Sequence, residues 1–280
     1  MFKDLLVATT RCGDDAAAVA TAIALAEEFS AHLAVLVQVQ VHLPAPNISA
    51  MGVFSLGDFG AAIETAQQLG AAERDRWIEV LQASGVSAEV RLDQAFPASL
   101  PGTAAMHALY CDLAVIGLDG PDSLPGPLHE QFAKLLLSSG RPVLAVPRGW
   151  VPCAVRRVVV GWHPGVPAAR AVHDALPWLS RAGNVDIVCV DPRGSIDGHG
   201  EEPGADIATH LARHGVKVTV HGARAEGRDP GAVLLERGLS LGAELIVAGG
   251  YGHSRLREWA LGGTTRYLLQ NSTLPVLFSH

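Results

Sequence analysis

The residues best suited to holding a ligand are glycines and hydroxyls near the carboxyl end of the sequence. Gly249-Gly250-Tyr251-Gly252 follows an apolar, strand-like run; nine residues, HSRLREWAL, separate it from Gly262-Gly263-Thr264-Thr265, which opens a helix-like run ending near Gln270. The first cluster can turn sharply and expose backbone N–H groups. The second can set amides and hydroxyls at a helix N-terminus, where an anion is favoured. A phosphate site is physically sensible on this spacing, although glycines so placed also serve as plain structural turns. Arg255 and Arg257 could stabilise an anion, yet beside Glu258 they also fit a solvated segment. There is no GxxxxGK[ST] loop and no GxGxxG turn after a first strand, because those strands run into TTRCGDD and WHPGVPA.

Catalytic sets are harder to find. Ser254 beside His253 lacks the GxSxG context of a nucleophile elbow. His210 and His214 stand at i, i+4 without an HExxH frame and read as a polar helix face, and His129-Glu130 begins HEQFA without a second histidine. The tryptophans Trp77, Trp150, Trp162, Trp178 and Trp259 are dispersed among apolar segments, as packing anchors are, with too few basic neighbours for a base-stacking platform.

The elements that must position these residues repeat. The strand-like runs Lys3–Thr9, Leu33–Val39, Ala88–Leu92, Cys111–Gly120 and Arg141–Pro147 recur in order as Arg156–Trp162, Val185–Asp191, Val216–Val220, Ala243–Gly252 and Leu274–Phe278. An insertion of roughly 24 residues, including His42–Gly60, interrupts the first copy after its second strand. Its Pro, Gly and Ser content predicts an irregular lid, packing arm or subunit contact. Apolar positions at three and four predict helices over Asp15–Phe29, Ala61–Ala83, Gly102–Leu109, Leu128–Leu137, Ala168–Leu179, Ala205–His214, Asp229–Leu241 and Leu256–Gln270. Strands such as LLVA and LIVAG are apolar without alternation, as strands covered on both faces are, which predicts parallel sheets. The expected architecture is α/β: two tandem doubly wound domains, residues 1–148 and 154–280, each with a five-stranded parallel sheet, linked by Arg148–Cys153. The two final strands, Pro142–Val146 and Pro275–Phe278, are expected to close against one another as a pseudo-symmetric pair that hides two apolar edges.

Composition narrows the partners. In 280 residues, 21 basic and 28 acidic side chains give a net charge of −7, so no overall positive field gathers a nucleic acid. Cys12, Cys111, Cys153 and Cys189 form no CxxC pair and read as reduced filler. The start has too short an apolar stretch for a signal peptide, and no run is long enough to span a membrane, so a cytoplasmic protein is expected.

The segment Val247–Phe278 resembles the carboxyl-terminal part of a universal stress protein domain, whose nucleotide-binding members carry Gly, two residues, Gly, nine residues, then Gly with Ser or Thr. Gly249, Gly252 and Gly262 fall on the three glycines. The duplicated halves and the ending LPVLF extend the resemblance over nearly the whole chain as a tandem pair. It implies strand order 3-2-1-4-5 in each half and an adenine nucleotide, ATP with Mg2+, lying across strands one and four. The chain departs from that pattern in three places. Gly263 stands where the hydroxyl residue belongs, leaving Thr264 one position late. The acidic residue usual near the end of strand one is replaced by His163 in one half and Thr9-Thr10 in the other; Asp191, at the end of strand two, could compensate or simply cap its strand. In the first half Glu130-Gln131 occupies the place of the glycine and hydroxyl pair, setting a carboxylate where a phosphate would sit. The expected site is therefore Gly249, Gly252, Gly262, Gly263, Thr264, His163 and Asp191 in the second half. The expected role is a noncatalytic one in stress response, through a small ligand or a protein partner, with a further homodimer contact at His42–Gly60. The alternative is ATP binding with slow hydrolysis or autophosphorylation.

Overall fold

The computed structural model describes residues 1–9, 15–41, 56–96, 99–120, 126–192, 202–252 and 263–280. The first half contains β1 (Asp4–Thr9), α1 (Ala16–Phe29), β2 (His32–Gln40), α2 (Leu56–Ser84), β3 (Ala88–Ala95), α3 (Leu100–Ala108), β4 (Leu113–Gly117), α4 (Pro127–Ser138) and β5 (Val143–Val146). The second contains β6 (Arg157–Gly161), α5 (Val166–Asp174), α6 (Leu176–Leu179), β7 (Asn184–Val190), α7 (Ala205–Arg213), β8 (Val218–Ala223), α8 (Pro230–Leu241), β9 (Leu245–Gly249), α9 (Gly263–Asn271) and β10 (Val276–Ser279). Among the described residues, no helix is long and apolar enough to cross a membrane.

All ten strands lie in one sheet, ordered β3-β2-β1-β4-β5-β10-β9-β6-β7-β8. Each half keeps the order 3-2-1-4-5, and every neighbouring pair within a half is parallel. The halves meet through β5 and β10, which pair antiparallel with Leu144 opposite Leu277. The two final strands thus close against one another as expected, and the two five-stranded halves join into one continuous sheet, because the last strand of each half would otherwise leave unpaired N–H and C=O groups beside buried valines and leucines. Strands β1, β4, β5, β9 and β10 are apolar at nearly every position because helices cover both faces of the sheet.

Three expectations change at the helices. The run Ala168–Leu179 breaks at Ala175, since Pro177 has no N–H to offer the carbonyl of His173. Residues 56–60, read as irregular insertion, form the first turns of α2: the packing of a long helix that buries Ala66, Trp77 and Leu81 overrides the weak helical preference of Gly60. The remainder of the insertion, 42–55, lies outside the described residues. The helix expected from Leu256 is described only from Gly263.

Aromatic rings join the halves on both faces of the sheet. On one face Trp178 lies with its ring centroid 4.8 Å from Phe2 and 6.1 Å from Phe29. Arg181 crosses the same seam, its guanidinium 4.6 Å over the Phe29 ring and 3.2 Å from Glu28. On the other face Phe132 of α4 meets Phe278 of β10 edge to face at 5.1 Å. Burial pushes the Cys111 thiol up to about 12 and Cys189 up to about 11, so both thiols stay protonated and pack as small apolar groups.

Two histidines make stability depend on pH. Burial lowers the pKa of His129 on α4, with Arg266 lowering it further and Asp119 opposing. Burial also lowers His107 on α3, helped by Arg91, whose Nη1 is 3.2 Å from its Nδ1. Each binds its proton more weakly folded than unfolded, so this contribution is complete above the ordinary value of 6.5 and is lost as pH falls through 6.5 toward the folded value. Urea midpoints should therefore drop between pH 7.5 and pH 5, and His129→Leu should flatten the profile. Glu89, whose pKa Arg91 lowers, acts in a separate, more acidic window below 4.5. A parent profile flat from pH 7.5 to pH 5 would contradict the assignment.

Candidate functional site

In a doubly wound sheet the crevice opens where consecutive connections leave toward opposite faces, beyond the carboxyl ends of the central strands. In the second half that point lies between β6 and β9. Strand β6 ends at Gly161, where a Cβ would stand 2.6 Å from Leu234 of α8. Strand β9 ends at Gly249, where a Cβ would stand 2.6 Å from the backbone nitrogen of Ala168, so only glycine lets the first turn of α5 approach the strand end. Gly252, by contrast, has no described residue within 4 Å of where its Cβ would be.

These elements enclose a cavity of about 370 Å³, within the size range of small-molecule sites. Its apolar wall comes from Trp162, Val188, Val190 and Leu234; its polar wall comes from Gly252, Gly263, Thr264 and Thr265, with His163 exposed at the lip. Val188 and Val190 point the same way because strand side chains alternate. A larger groove, about 530 Å³, lies on the seam between Phe29, Arg141, Asp174 and Arg181. Its charges are already engaged: Arg181 pairs with Glu28, and Asp174 accepts from the Ser279 hydroxyl at 2.8 Å. The smaller cavity has the better claim, since it lies at the crossover and is lined by the start of α9, where helix amides favour an anion.

Five expected residues come together on this cavity: Gly249, Gly252, Gly263, Thr264 and His163. Gly262 lies outside the described residues, as do Arg255 and Arg257. Asp191 does not line the cavity. It sits at φ +46°, donates its amide to Ala223 and accepts the Ala225 amide on Oδ1 at 2.9 Å, so its carboxylate fastens the end of β7 to the connection after β8. Sequence reasoning missed Val188 and Val190, which alternation along β7 could have supplied, and Asp229. Oδ1 of Asp229 caps α8 by accepting the Gly231 amide at 2.7 Å, while Oδ2 lies 2.9 Å from the place a Cβ on Gly263 would take. A carboxylate thus stands behind the N-terminus of α9. Among the described residues lining the cavity there is no lysine, arginine, aspartate or glutamate.

The corresponding place in the first half is closed. Matching the strand registers, Val7 with Val35 and Val160 with Ile187, puts Gln38 where Val190 stands. Gln131, in the position of the missing glycine pair, donates from Nε2 to Oε1 of Gln38 at 3.0 Å. Gln38 donates onward to the Leu100 carbonyl at 2.8 Å and to the Thr103 hydroxyl at 3.2 Å. Both glutamines are buried, so the closing bridge is a satisfied polar network.

Comparison with known proteins agrees with this architecture. The model of the Universal stress protein family matches residues 155–280. No curated protein matches the chain. The crystal structure of a universal stress protein from Archaeoglobus fulgidus DSM 4304 is similar over 98% of this chain and 97% of its own, at 18% identity and a TM-score of 0.73. A putative universal stress protein from Pseudomonas aeruginosa UCBPP-PA14 is similar over 99% of this chain and 92% of its own, at 15% identity and a TM-score of 0.58. At these identities the likeness is one of fold.

Proposed function

We propose that the chain, whose residues 155–280 match the model of the Universal stress protein family, is a noncatalytic ligand-binding member of that family that takes one adenine nucleotide in its second half. The observation that carries this reading is the contrast between the two crossovers: an open cavity of about 370 Å³ over β6 and β9, and a glutamine bridge at the equivalent place in the first half. In this reading the chain works as two domains, 1–148 and 154–280, of which only the second is a receptor. The apolar wall of Trp162, Val188 and Val190 takes the base, and the amides of Gly252, Gly263 and Thr264 meet the phosphates. Among the described residues no group of three or more His, Cys, Asp or Glu is arranged to hold a metal ion. In this reading Mg2+ would be carried on the nucleotide's own phosphates, with the amides and hydroxyls of Gly252, Gly263, Thr264 and Thr265 around them, and the ligand is held and not turned over.

The reading is tested by extracting the purified protein, identifying retained nucleotide by mass spectrometry, and titrating ATP, AMP and adenosine calorimetrically. A single site for ATP without phosphate release supports it; no binding of any of the three overturns it. Asp229 sharpens the test. Its charge opposes a phosphate at the start of α9, and Asn at this position keeps the cap acceptor while removing the charge. Asp229→Asn should tighten ATP roughly three- to tenfold and leave adenosine unchanged, as expected for one unit charge in a partly solvated site. An equal change for both ligands would show that the carboxylate does not face the phosphates.

A further inference from the structure

The glycine turn of the second half is built partly by the first. The Gly250 amide donates to the Ser279 carbonyl at 2.8 Å, and its own carbonyl accepts from Nδ1 of His280 at 3.1 Å. A Cβ on Gly250 would stand 2.5 Å from Cδ2 of Leu136, a residue of α4 in the other half. The next residue, Tyr251, sits at φ +55°, where bulky side chains rarely go. Its ring lies 6.2 Å from that of Phe132, also on α4. Its hydroxyl is buried with no hydrogen-bond partner among the described residues. A left-handed backbone and an orphaned hydroxyl on one residue persist only where the surroundings fix it.

Those surroundings are α4 together with the His280 ring, 6.4 Å from that of Tyr251. Phe132 and Leu136 are both buried and, four residues apart, share one helix face. Phe132 is held in turn by Phe278 at 5.1 Å, and the preceding residue, Gln131, is pinned to Gln38 on β2. From Tyr251 the contact runs on to the cavity wall, because its amide reaches Oγ1 of Thr265 in the first turn of α9 at 3.4 Å. We propose that the first half acts in cis as a clamp on the second: the bridge that closes its own crevice also anchors α4, and Leu136 and Phe132 are positioning residues for the glycine turn that faces the ligand. This rests on reading the second-half cavity as the nucleotide site, and it makes ligand affinity there a property of both halves.

A double-mutant cycle in the full chain tests the clamp. Gly250→Ala drives a methyl into Leu136, Leu136→Ala withdraws the clamp, and the double variant lets the new methyl occupy the vacated space. The ligand-free readout is hydrogen exchange of the amides from Gly250 to Gly252; the second readout is ATP affinity. Each single change should speed exchange in the turn roughly tenfold and weaken ATP by a similar factor, with the double variant returning to within about threefold of the parent. Leu136→Met should behave as the parent. Strictly additive effects, or exchange unchanged in Leu136→Ala, would overturn the clamp. If Leu136→Ala does not fold, Phe132→Leu decides by the same measurement: faster exchange in the turn supports the clamp, and parental exchange overturns it. Should the parent bind no ATP, the nucleotide reading fails, while the exchange cycle still decides the clamp.

Discussion

Truncating Trp178 to alanine is expected to lower the free energy of unfolding by about 3–5 kcal/mol, the range for removing a large buried aromatic side chain. Trp178 is among the largest fully buried side chains, and its neighbours Phe2 and Phe29 belong to the other half of the chain. Removing the indole therefore leaves a cavity in the joint between the halves, where collapse would require sliding one half of the sheet against the other. Its Nε1 is buried without a partner among the described residues, so the native indole carries a donor that they leave unsatisfied. Trp178→Phe should then cost much less than Trp178→Ala, because it fills most of the space and removes the orphaned N–H. Urea denaturation checks both: a large drop in midpoint at unchanged slope for alanine, and a small one for phenylalanine. A shift below about 1 kcal/mol for the alanine variant would show that the seam does not depend on this ring.

How far the sequence disclosed this molecule follows from what each signal encodes. The central strands were legible because a strand buried on both faces must be apolar throughout, as in the runs containing LLVA, VVVG, LAVIG and LIVAG, whereas the half-exposed edge strands β3 and β8 were found through the repeat. The break before α6 was also written in the chain, at Pro177, but helical periodicity alone runs across it. Gly249, Gly252, Gly263, Thr264 and His163 were found because strand-end loops carry sites in this architecture. Asp191 was harder, since an acid at a strand end looks the same in sequence whether it faces a ligand or caps a turn, and its φ of +46° decides. Asp229 was readable as a helix cap from Asp-Pro-Gly; that its second oxygen faces Gly263 depends on how α8 packs on α9. The glutamine bridge joins residues 93 positions apart, and no local pattern announces it.

The glycines make the sharpest prediction about the site, because the fold needs some of them and leaves one free. Valine at Gly249 would drive a Cβ to within 2.6 Å of the α5 backbone, so loss of binding in that variant would reflect damage to the fold. A Cβ on Gly252 would meet nothing within 4 Å among the described residues, yet Gly252 lines the cavity. Gly252→Val should therefore leave the thermal transition nearly unchanged while filling part of a 370 Å³ space and blocking close approach of a phosphate to the backbone. A loss of at least roughly a hundredfold in ATP affinity, about 2.7 kcal/mol, is expected. The control in the first half must respect its own backbone. Gly120 sits at φ +94°, where valine would be strained whatever the ligand does, so Gly120→Asn, which tolerates a positive φ better, is the matching change. With the first crevice closed by Gln38 and Gln131, that variant should bind ATP as the parent does. Calorimetry showing equal losses for Gly252→Val and Gly120→Asn would place the ligand elsewhere. Parental affinity in Gly252→Val would remove the glycine turn from the site altogether.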